Sequence, residues 1–85
     1  MKIIRTDDFE RAFQKLPKEI QRIYFLQEKR FGANWRDPRL HIKKVQELGY
    51  ALSFRITRRY RTFFYFQNRE TAIFFDIDHR KDIYR

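Results

Sequence analysis

Three consecutive β-strands are predicted from one stretch of the sequence, residues 52–79, which reads LSFRITRRYRTFFYFQNRETAIFFDIDH. Its first residues alternate between apolar and polar, which is the pattern of a strand buried on one face. The run 63–66 is apolar at every position, as expected of a central strand. The predicted strands are residues 52–57, 60–67 and 71–78, with turns at 58–59 and 68–70. The stretch therefore predicts a three-stranded antiparallel meander.

The residues before the meander predict one strand and two helices. Two adjacent isoleucines favour a short strand within residues 1–5. Thr6 precedes two aspartates and then apolar residues at helical spacing, which predicts a helix over residues 7–15. A second apolar stripe predicts a helix over residues 18–31, with Gly32 as its C-terminal cap.

The segment between the second helix and the meander has no clear period. Residues 34–39 are predicted to form a loop, and residues 40–48 fit either one or two helical turns or an extended crossing. In order, these elements predict an α+β fold: a strand, a two-helix hairpin and the antiparallel meander, with the helices packed on one sheet face. The length of 85 residues predicts a single domain, residues 1–85.

The composition limits the partners of this chain. A net charge of +9 points to nucleic acid, an anionic membrane or an acidic protein. Cysteine is absent, which excludes disulfide and thiolate sites. No apolar run approaches the roughly 20 residues of a membrane span, and Asp7 and Asp8 interrupt the first residues before a signal peptide could form. We therefore expect a cytoplasmic protein without membrane association.

The turn at residues 58–59 leaves two registers open for the first hairpin. A tight two-residue turn opposes Arg55 to Thr62 and buries Arg61 against apolar residues, which is costly without a partner. A longer turn or a bulge instead places Arg55 opposite Arg61, and we prefer this register. Two facing cations persist where an anion such as a phosphate lies between them. The other interpretation is that both arginines are solvated and pair with Asp76 or Asp78.

Titratable side chains are concentrated after the third strand. They are His79, Arg80, Lys81 and Tyr84. We expect this group to meet Arg55 and Arg61 at one phosphate-handling site. Imidazole titrates near neutrality and nearby cations lower the pKa of a phenol, so His79 and Tyr84 are the candidates for proton transfer.

Other kinds of site find little support in the sequence. Two histidines without cysteine do not make a zinc site, and two glycines are too few for a phosphate-binding loop. A phosphodiester reaction without a metal or cofactor is the enzyme class that fits. Phe63, Tyr65 or Trp35 could stack on a base of single-stranded nucleic acid, but burial under a helix or loop explains them equally well.

Two motifs in the second half of the chain resemble a known family. The first is LSFRI at residues 52–56, followed by Tyr60 and Arg61 at the start of an apolar strand. The second is an apolar strand that runs into HRKDIY at residues 79–84. With the predicted order of elements, they resemble the RelE/ParE superfamily of bacterial toxins from type II toxin–antitoxin modules. The resemblance implies a ribosome-dependent endoribonuclease that cuts mRNA in the ribosomal A site, and a small acidic antitoxin as its partner.

The resemblance also implies roles for the site residues. Arg61 would hold the scissile phosphate with Arg55 beside it, and Arg80 would be a second charge stabiliser. Tyr84 and His79 compete for the roles of general acid and general base. The ribose 2′-hydroxyl would attack the adjacent phosphate and leave a 2′,3′-cyclic phosphate, so no metal is required.

One position departs from the RelE pattern, because Thr57 stands where RelE has a second lysine. The remaining basic residues expected to bind mRNA and ribosomal RNA are Arg58, Arg59 and Lys81. Two other functions stay open: a ParE-like inhibitor of DNA gyrase, and a nucleic-acid-binding module without catalysis.

Overall fold

A computed structural model of the chain describes residues 1–79. The elements in chain order are β1 (Lys2–Arg5), α1 (Asp7–Gln14), α2 (Lys18–Ala33), β2 (Lys43–Lys44), β3 (Leu52–Arg55), β4 (Tyr60–Asn68) and β5 (Thr71–His79). A short 3₁₀ turn, Pro38–Leu40, lies between α2 and β2. The predicted order of a strand, two helices and a meander is confirmed, and β2 is an addition to it.

The described strands form one sheet in the order β1-β5-β4-β3-β2. β3, β4 and β5 are the predicted antiparallel meander. β1 pairs in parallel with β5, from Lys2 opposite Thr71 to Arg5 opposite Phe74. A parallel pair needs a long crossover, and α1 and α2 lie within it. Both helices pack on the same face of the sheet, so the predicted α+β class is confirmed.

The main core lies between the helices and this sheet face. Three aromatic residues of the helices are fully buried there: Phe9 of α1, and Tyr24 and Phe31 of α2. The Phe31 ring packs against Phe54 at 5.5 Å and edge-on against Phe74 at 5.1 Å between centroids. Such aromatic pairs contribute about 0.5–1.5 kcal/mol beyond the area they bury. Neither helix in residues 1–79 combines the length and the apolar character that crossing a membrane requires.

The end of α2 corrects one prediction. Gly32 was expected to cap the helix, but the helix continues through it to Ala33 and Asn34 is the cap. The Asn34 N–H donates to the carbonyl of Arg30 at 2.8 Å, with φ of −162° at Asn34. The chain thus leaves the helix in an extended conformation, and the left-handed residue for which glycine is usually chosen is not needed.

The segment without a clear period is extended for part of its length. Asp37 accepts hydrogen bonds from the guanidinium and the backbone N–H of Arg39, and these bonds lower the pKa of Asp37 to about 2. Beyond the turn, Lys43 and Lys44 form β2 and pair with the start of β3. The extended alternative for residues 40–48 is therefore confirmed for β2. Lysines on a short edge strand also discourage pairing with another chain.

The other face of the sheet carries a smaller apolar cluster. Val45, Ala51 and Phe63 are buried there, and Leu48 and Phe75 are partly buried against them. The loop that follows β2 is closed by two hydrogen bonds, from Val45 N–H to Ala51 O (3.1 Å) and from Ala51 N–H to Leu48 O (2.8 Å). This loop therefore covers part of the face that the helices leave open.

Candidate functional site

The connection between β3 and β4 determines the register of the candidate site. The backbone N–H groups of Ile56 and Thr57 both donate to the carbonyl of Tyr60, at 2.9 and 3.3 Å. Two residues of one strand thus face one residue of the other, as in a β-bulge. Arg55 consequently lies opposite Arg61, which confirms the preferred register. The alternative register with a tight two-residue turn is wrong.

Both arginines lie on the sheet face that points away from the helices. Phe54, the neighbour of Arg55, is buried in the core under the helices. Successive side chains of a strand point to opposite faces, so Arg55 and Arg61 point to the other side. Phe63, two residues after Arg61, is buried in the smaller cluster on that side. The predicted separation of these cations from the helix-facing core is confirmed.

Arg61 is almost completely buried, with 2% of its surface exposed. Its Nε donates to Ser53 Oγ at 2.9 Å, and Nη2 donates to the carbonyl of His41 at 2.5 Å. His41 has a φ of 48°, in the left-handed region that residues other than glycine seldom occupy. These protein acceptors make the burial of the charge tolerable. The buried guanidinium of Arg61 therefore connects β4 to β3 and to the segment before β2 through hydrogen bonds.

Arg55 is half-buried, and its hydrogen bonding is incomplete. Its Nε is buried and has no acceptor among residues 1–79. An unsatisfied buried donor costs about 1–3 kcal/mol. An anion bound beside Arg55 and Arg61 would supply the acceptor and reduce the repulsion between the two cations. The backbone of Arg55 is held from the helix side, because Gln27 Nε2 donates to its carbonyl at 2.7 Å.

Further basic residues extend this positive region. Arg58 and Arg59 are exposed in the connection between β3 and β4, where Thr57 Oγ1 accepts a hydrogen bond from the Arg59 N–H at 3.2 Å. Lys43 is exposed on β2 opposite Ser53, which places it on the face of the two arginines. Lys43 could not be recognised from the sequence as part of this region, because the pairing of β2 depends on a distant strand. The adjacent lysines were the only local signal.

His79 lies on the opposite face from the arginine pair. It opposes Tyr60 at the end of β5, and the two rings pack edge-on with centroids 5.3 Å apart. Ile77, two residues earlier, is buried under the helices, whereas the residue opposite Arg61 is Asp78. The structure therefore does not bring His79 together with Arg61 on one face. Arg80, Lys81 and Tyr84 lie outside the described residues, and their roles stay predictions.

A carboxylate of the same sheet face has an unusual environment. Asp76 lies opposite Phe63 and is half-buried. Burial raises the pKa of Asp76, the carboxylates of Asp78 and Asp8 raise it further, and a hydrogen bond from the Ile77 N–H opposes them. The arginine face therefore includes an acid that holds its proton more readily than usual. This environment could not be recognised from the sequence, because the burial of Asp76 depends on the fold.

The aromatic residues considered for base stacking differ in exposure. Phe63 is 8% exposed, so its ring serves the smaller cluster. Trp35 packs edge-on against Phe66, with 4.9 Å between the ring centroids, so its contact with the main core is sufficient to explain an aromatic residue at this position. Tyr65 is half-buried on the arginine face.

Comparison with known proteins adds information at the level of the fold. No protein-family model and no curated protein sequence matches this chain. Among solved structures, the RelB–RelE antitoxin–toxin complex from Methanococcus jannaschii matches with a TM-score of 0.76 and 24% identity, over 95% of this chain and 94% of that one.

Two further solved structures show the same likeness. The YoeB/ParE toxin from Agrobacterium tumefaciens matches with a TM-score of 0.76 and 11% identity, over 93% of this chain and 98% of that one. The toxin–antitoxin complex RelBE2 from Mycobacterium tuberculosis matches with a TM-score of 0.66 and 27% identity, over 93% and 96%. The chain therefore has the fold of the RelE/ParE toxin superfamily, which confirms the resemblance predicted from its sequence.

Proposed function

We propose that this chain is the toxin of a type II toxin–antitoxin pair, and that it is a ribosome-dependent endoribonuclease that cuts mRNA. The observation that carries the proposal is the cross-strand pair of Arg55 and Arg61, with a buried Arg55 Nε that has no acceptor among residues 1–79. Exposed basic residues surround this pair. A like-charged pair with a spare donor suits the phosphate of an RNA backbone. Because translation takes place in the cytoplasm, the proposal places the protein there.

The proposed reaction needs charge stabilisation and two proton transfers. The ribose 2′-oxygen attacks phosphorus, and a general base takes the 2′-hydroxyl proton. The bond from phosphorus to the 5′-oxygen breaks, and a general acid protonates that oxygen. Arg55 would contact the phosphate directly, while Arg61 and Arg80 would stabilise its developing negative charge. The products are a 2′,3′-cyclic phosphate and a 5′-hydroxyl end.

Tyr84 and His79 are the candidates for the general acid and the general base. His79 lies on the sheet face opposite to the arginines, with its ring against Tyr60. Because His79 faces away from the arginines, we favour Tyr84 as the residue that transfers a proton at the phosphate they bind. Lys81, Arg58 and Arg59 would bind the RNA backbone on either side of the cut.

An acidic antitoxin is the second partner in the proposal. The structures from Methanococcus and Mycobacterium are complexes of a toxin with its antitoxin. The net charge of +9 suits an acidic protein as well as RNA. Phe25 and Leu26 of α2 are 52% and 49% exposed, and a partner segment would cover such large apolar side chains.

Cell-free translation with mapping of mRNA 5′ ends tests the proposal. The wild-type chain should produce cuts only when ribosomes translate the message, and Arg55→Ala should reduce them on the order of 100-fold. Arg22→Ala, which removes an exposed arginine of α2, is the matched control and should cut normally.

Two results would contradict the endoribonuclease. Inhibited translation with intact mRNA would leave a binding module without catalysis. Normal translation combined with failed DNA supercoiling would favour a ParE-like gyrase inhibitor.

A further inference from the structure

A group of three aromatic rings, of which one is exposed, lies on the same sheet face as the arginine pair. It consists of Tyr50, Tyr65 and Phe75, called the aromatic trio below. The centroids are 5.7 Å apart for Tyr50 and Tyr65, 6.3 Å for Tyr50 and Phe75, and 5.8 Å for Tyr65 and Phe75. Tyr50 is 64% exposed, whereas the aromatic rings under the helices that form the main core are largely buried.

The backbone holds each member of the trio in place. Tyr65 follows Arg61 by four residues on β4, so it points to the same face. Phe75 is the extra residue of a bulge in β5, since Phe63 pairs with Asp76 and the next residue pairs with Phe74. Tyr50 lies in the turn closed by the hydrogen bond from Ala51 N–H to Leu48 O. The rings are therefore presented by fixed elements of the fold.

Charge and distance connect the trio to the phosphate site. Four residues of a strand span about 14 Å, so Tyr65 lies that far from Arg61 along β4. Lys43 and Arg55 lie on the same face. A basic surface with aromatic rings along it suits single-stranded nucleic acid, because cations follow the backbone while bases stack on the rings.

We propose that the aromatic trio is a base-stacking site for single-stranded RNA, with Tyr50 providing the exposed ring. The proposal deepens the function given above and rests on it, since the stacked base would belong to the RNA whose phosphate Arg55 binds. A second copy of the chain or a protein segment could also cover an apolar patch. The neighbouring cations favour a polyanion whose bases offer flat apolar faces.

Binding to two oligonucleotides of equal length tests this site without ribosomes. One is a fluorescently labelled single-stranded RNA and the other is an abasic strand, which keeps the phosphates and lacks the bases. Tyr50→Ala should weaken RNA binding about tenfold, which corresponds to 1.4 kcal/mol and lies within the range for one stacked base. Its affinity for the abasic strand and its salt dependence should not change.

Matched variants separate stacking from other effects. Tyr50→Phe keeps the ring and should bind RNA as the wild type does. Arg22→Ala removes an exposed side chain from α2, on the helix side, and should also leave RNA binding unchanged. Arg55→Ala should weaken binding to both strands and flatten the salt dependence, because it removes a phosphate contact.

Several results would overturn the stacking site. Unchanged RNA binding by Tyr50→Ala, or an equal loss for the abasic strand, would mean that no base stacks on this ring. A dimer in sedimentation experiments that Tyr50→Ala abolishes would assign the patch to a second copy. Because the assay needs no cleavage, failure of the ribosome experiment with normal RNA stacking would reject the nuclease and leave this site standing.

Discussion

Replacing Gln27 with leucine should lower the free energy of unfolding by about 2–4 kcal/mol. Gln27 is 4% exposed and lies on the inner side of α2. Its Nε2 donates to two carbonyls, those of Arg39 at 3.0 Å and Arg55 at 2.7 Å, and its Oε1 accepts from Arg30 at 2.8 Å. One amide therefore connects α2 to the 3₁₀ turn and to the end of β3.

The magnitude follows from the groups that the substitution leaves behind. Leucine has a similar size and fills most of the space, so the cavity contribution is small. Both carbonyls lose a donor, and each loss costs about 1–2 kcal/mol where water cannot replace it. For a domain of this size, a loss of 1 kcal/mol lowers the melting temperature by about 4–8 °C. The expected fall is therefore about 8–32 °C.

Thermal and urea unfolding of the purified chain measure this effect. Gln21→Leu is the matched control, because Gln21 also donates from α2 to two carbonyls, those of Phe13 and Leu16, at 3.2 and 3.1 Å. Gln21 is only half-buried, so water can replace its bonds and the loss should stay near 1 kcal/mol. A stability of Gln27→Leu within 0.5 kcal/mol of the wild type, or equal losses for both variants, would refute the reasoning.

Two further substitutions test the cap and the buried acid. Thr6→Ala removes the hydrogen bond from the Phe9 N–H to Thr6 Oγ1 (3.1 Å) and should lower the free energy of unfolding, measured with urea, by about 1 kcal/mol. Thr6→Ser should keep the cap. Equal stability of the wild type and both variants would contradict this role. Asp76→Asn should stabilise the fold at neutral pH, because burial raises the pKa of Asp76 and so disfavours its charged form. The gain should be absent below the ordinary carboxyl pKa of 3.8, grow as the pH rises through the raised value and then level off. A variant less stable than the wild type at pH 7 would contradict the burial argument.

The predictable parts of the fold are those with strong local patterns. The alternation around Leu52 and Phe54, the apolar run of β4 and the cap at Thr6 act within a few residues, so sequence periodicity reveals them. The arginine register was also predictable, because burying Arg61 under the helices would have been costly.

The parts that could not be predicted depend on distant segments. β2 exists only because Lys43 and Lys44 pair with β3, and nothing within the two residues themselves requires a strand. Tyr50 belongs to the loop that this pairing positions, so its contact with Tyr65 could not be predicted from the sequence either. The hydrogen bond from Arg61 to the carbonyl of His41 likewise joins residues far apart in sequence.

The bulge at Phe75 explains why His79 does not share a sheet face with the arginine pair. In an uninterrupted strand, alternate residues of β5 share a face, so Ile77 and His79 would lie with Ile73 on the arginine side. The bulge inserts one residue, and a shift of one residue exchanges the faces for the rest of the strand. Ile77 and His79 consequently turn toward the helices, while Asp78 faces Arg61.

The same bulge accounts for the chemistry of the arginine face. By exchanging the faces after Phe75, it buries Ile77 in the main core, while Phe75 stays on the side of Ile73 and belongs to the aromatic trio. It also sets Asp76 and Asp78 beside β4, where carboxylates lower the net positive charge around Arg61. A phosphate bound on this face would lie close to carboxylates as well as to arginines. Arg55 is better suited than Arg61 to contact it directly, since Arg55 is half-buried with an unsatisfied Nε, whereas Arg61 is almost completely buried and donates to protein acceptors.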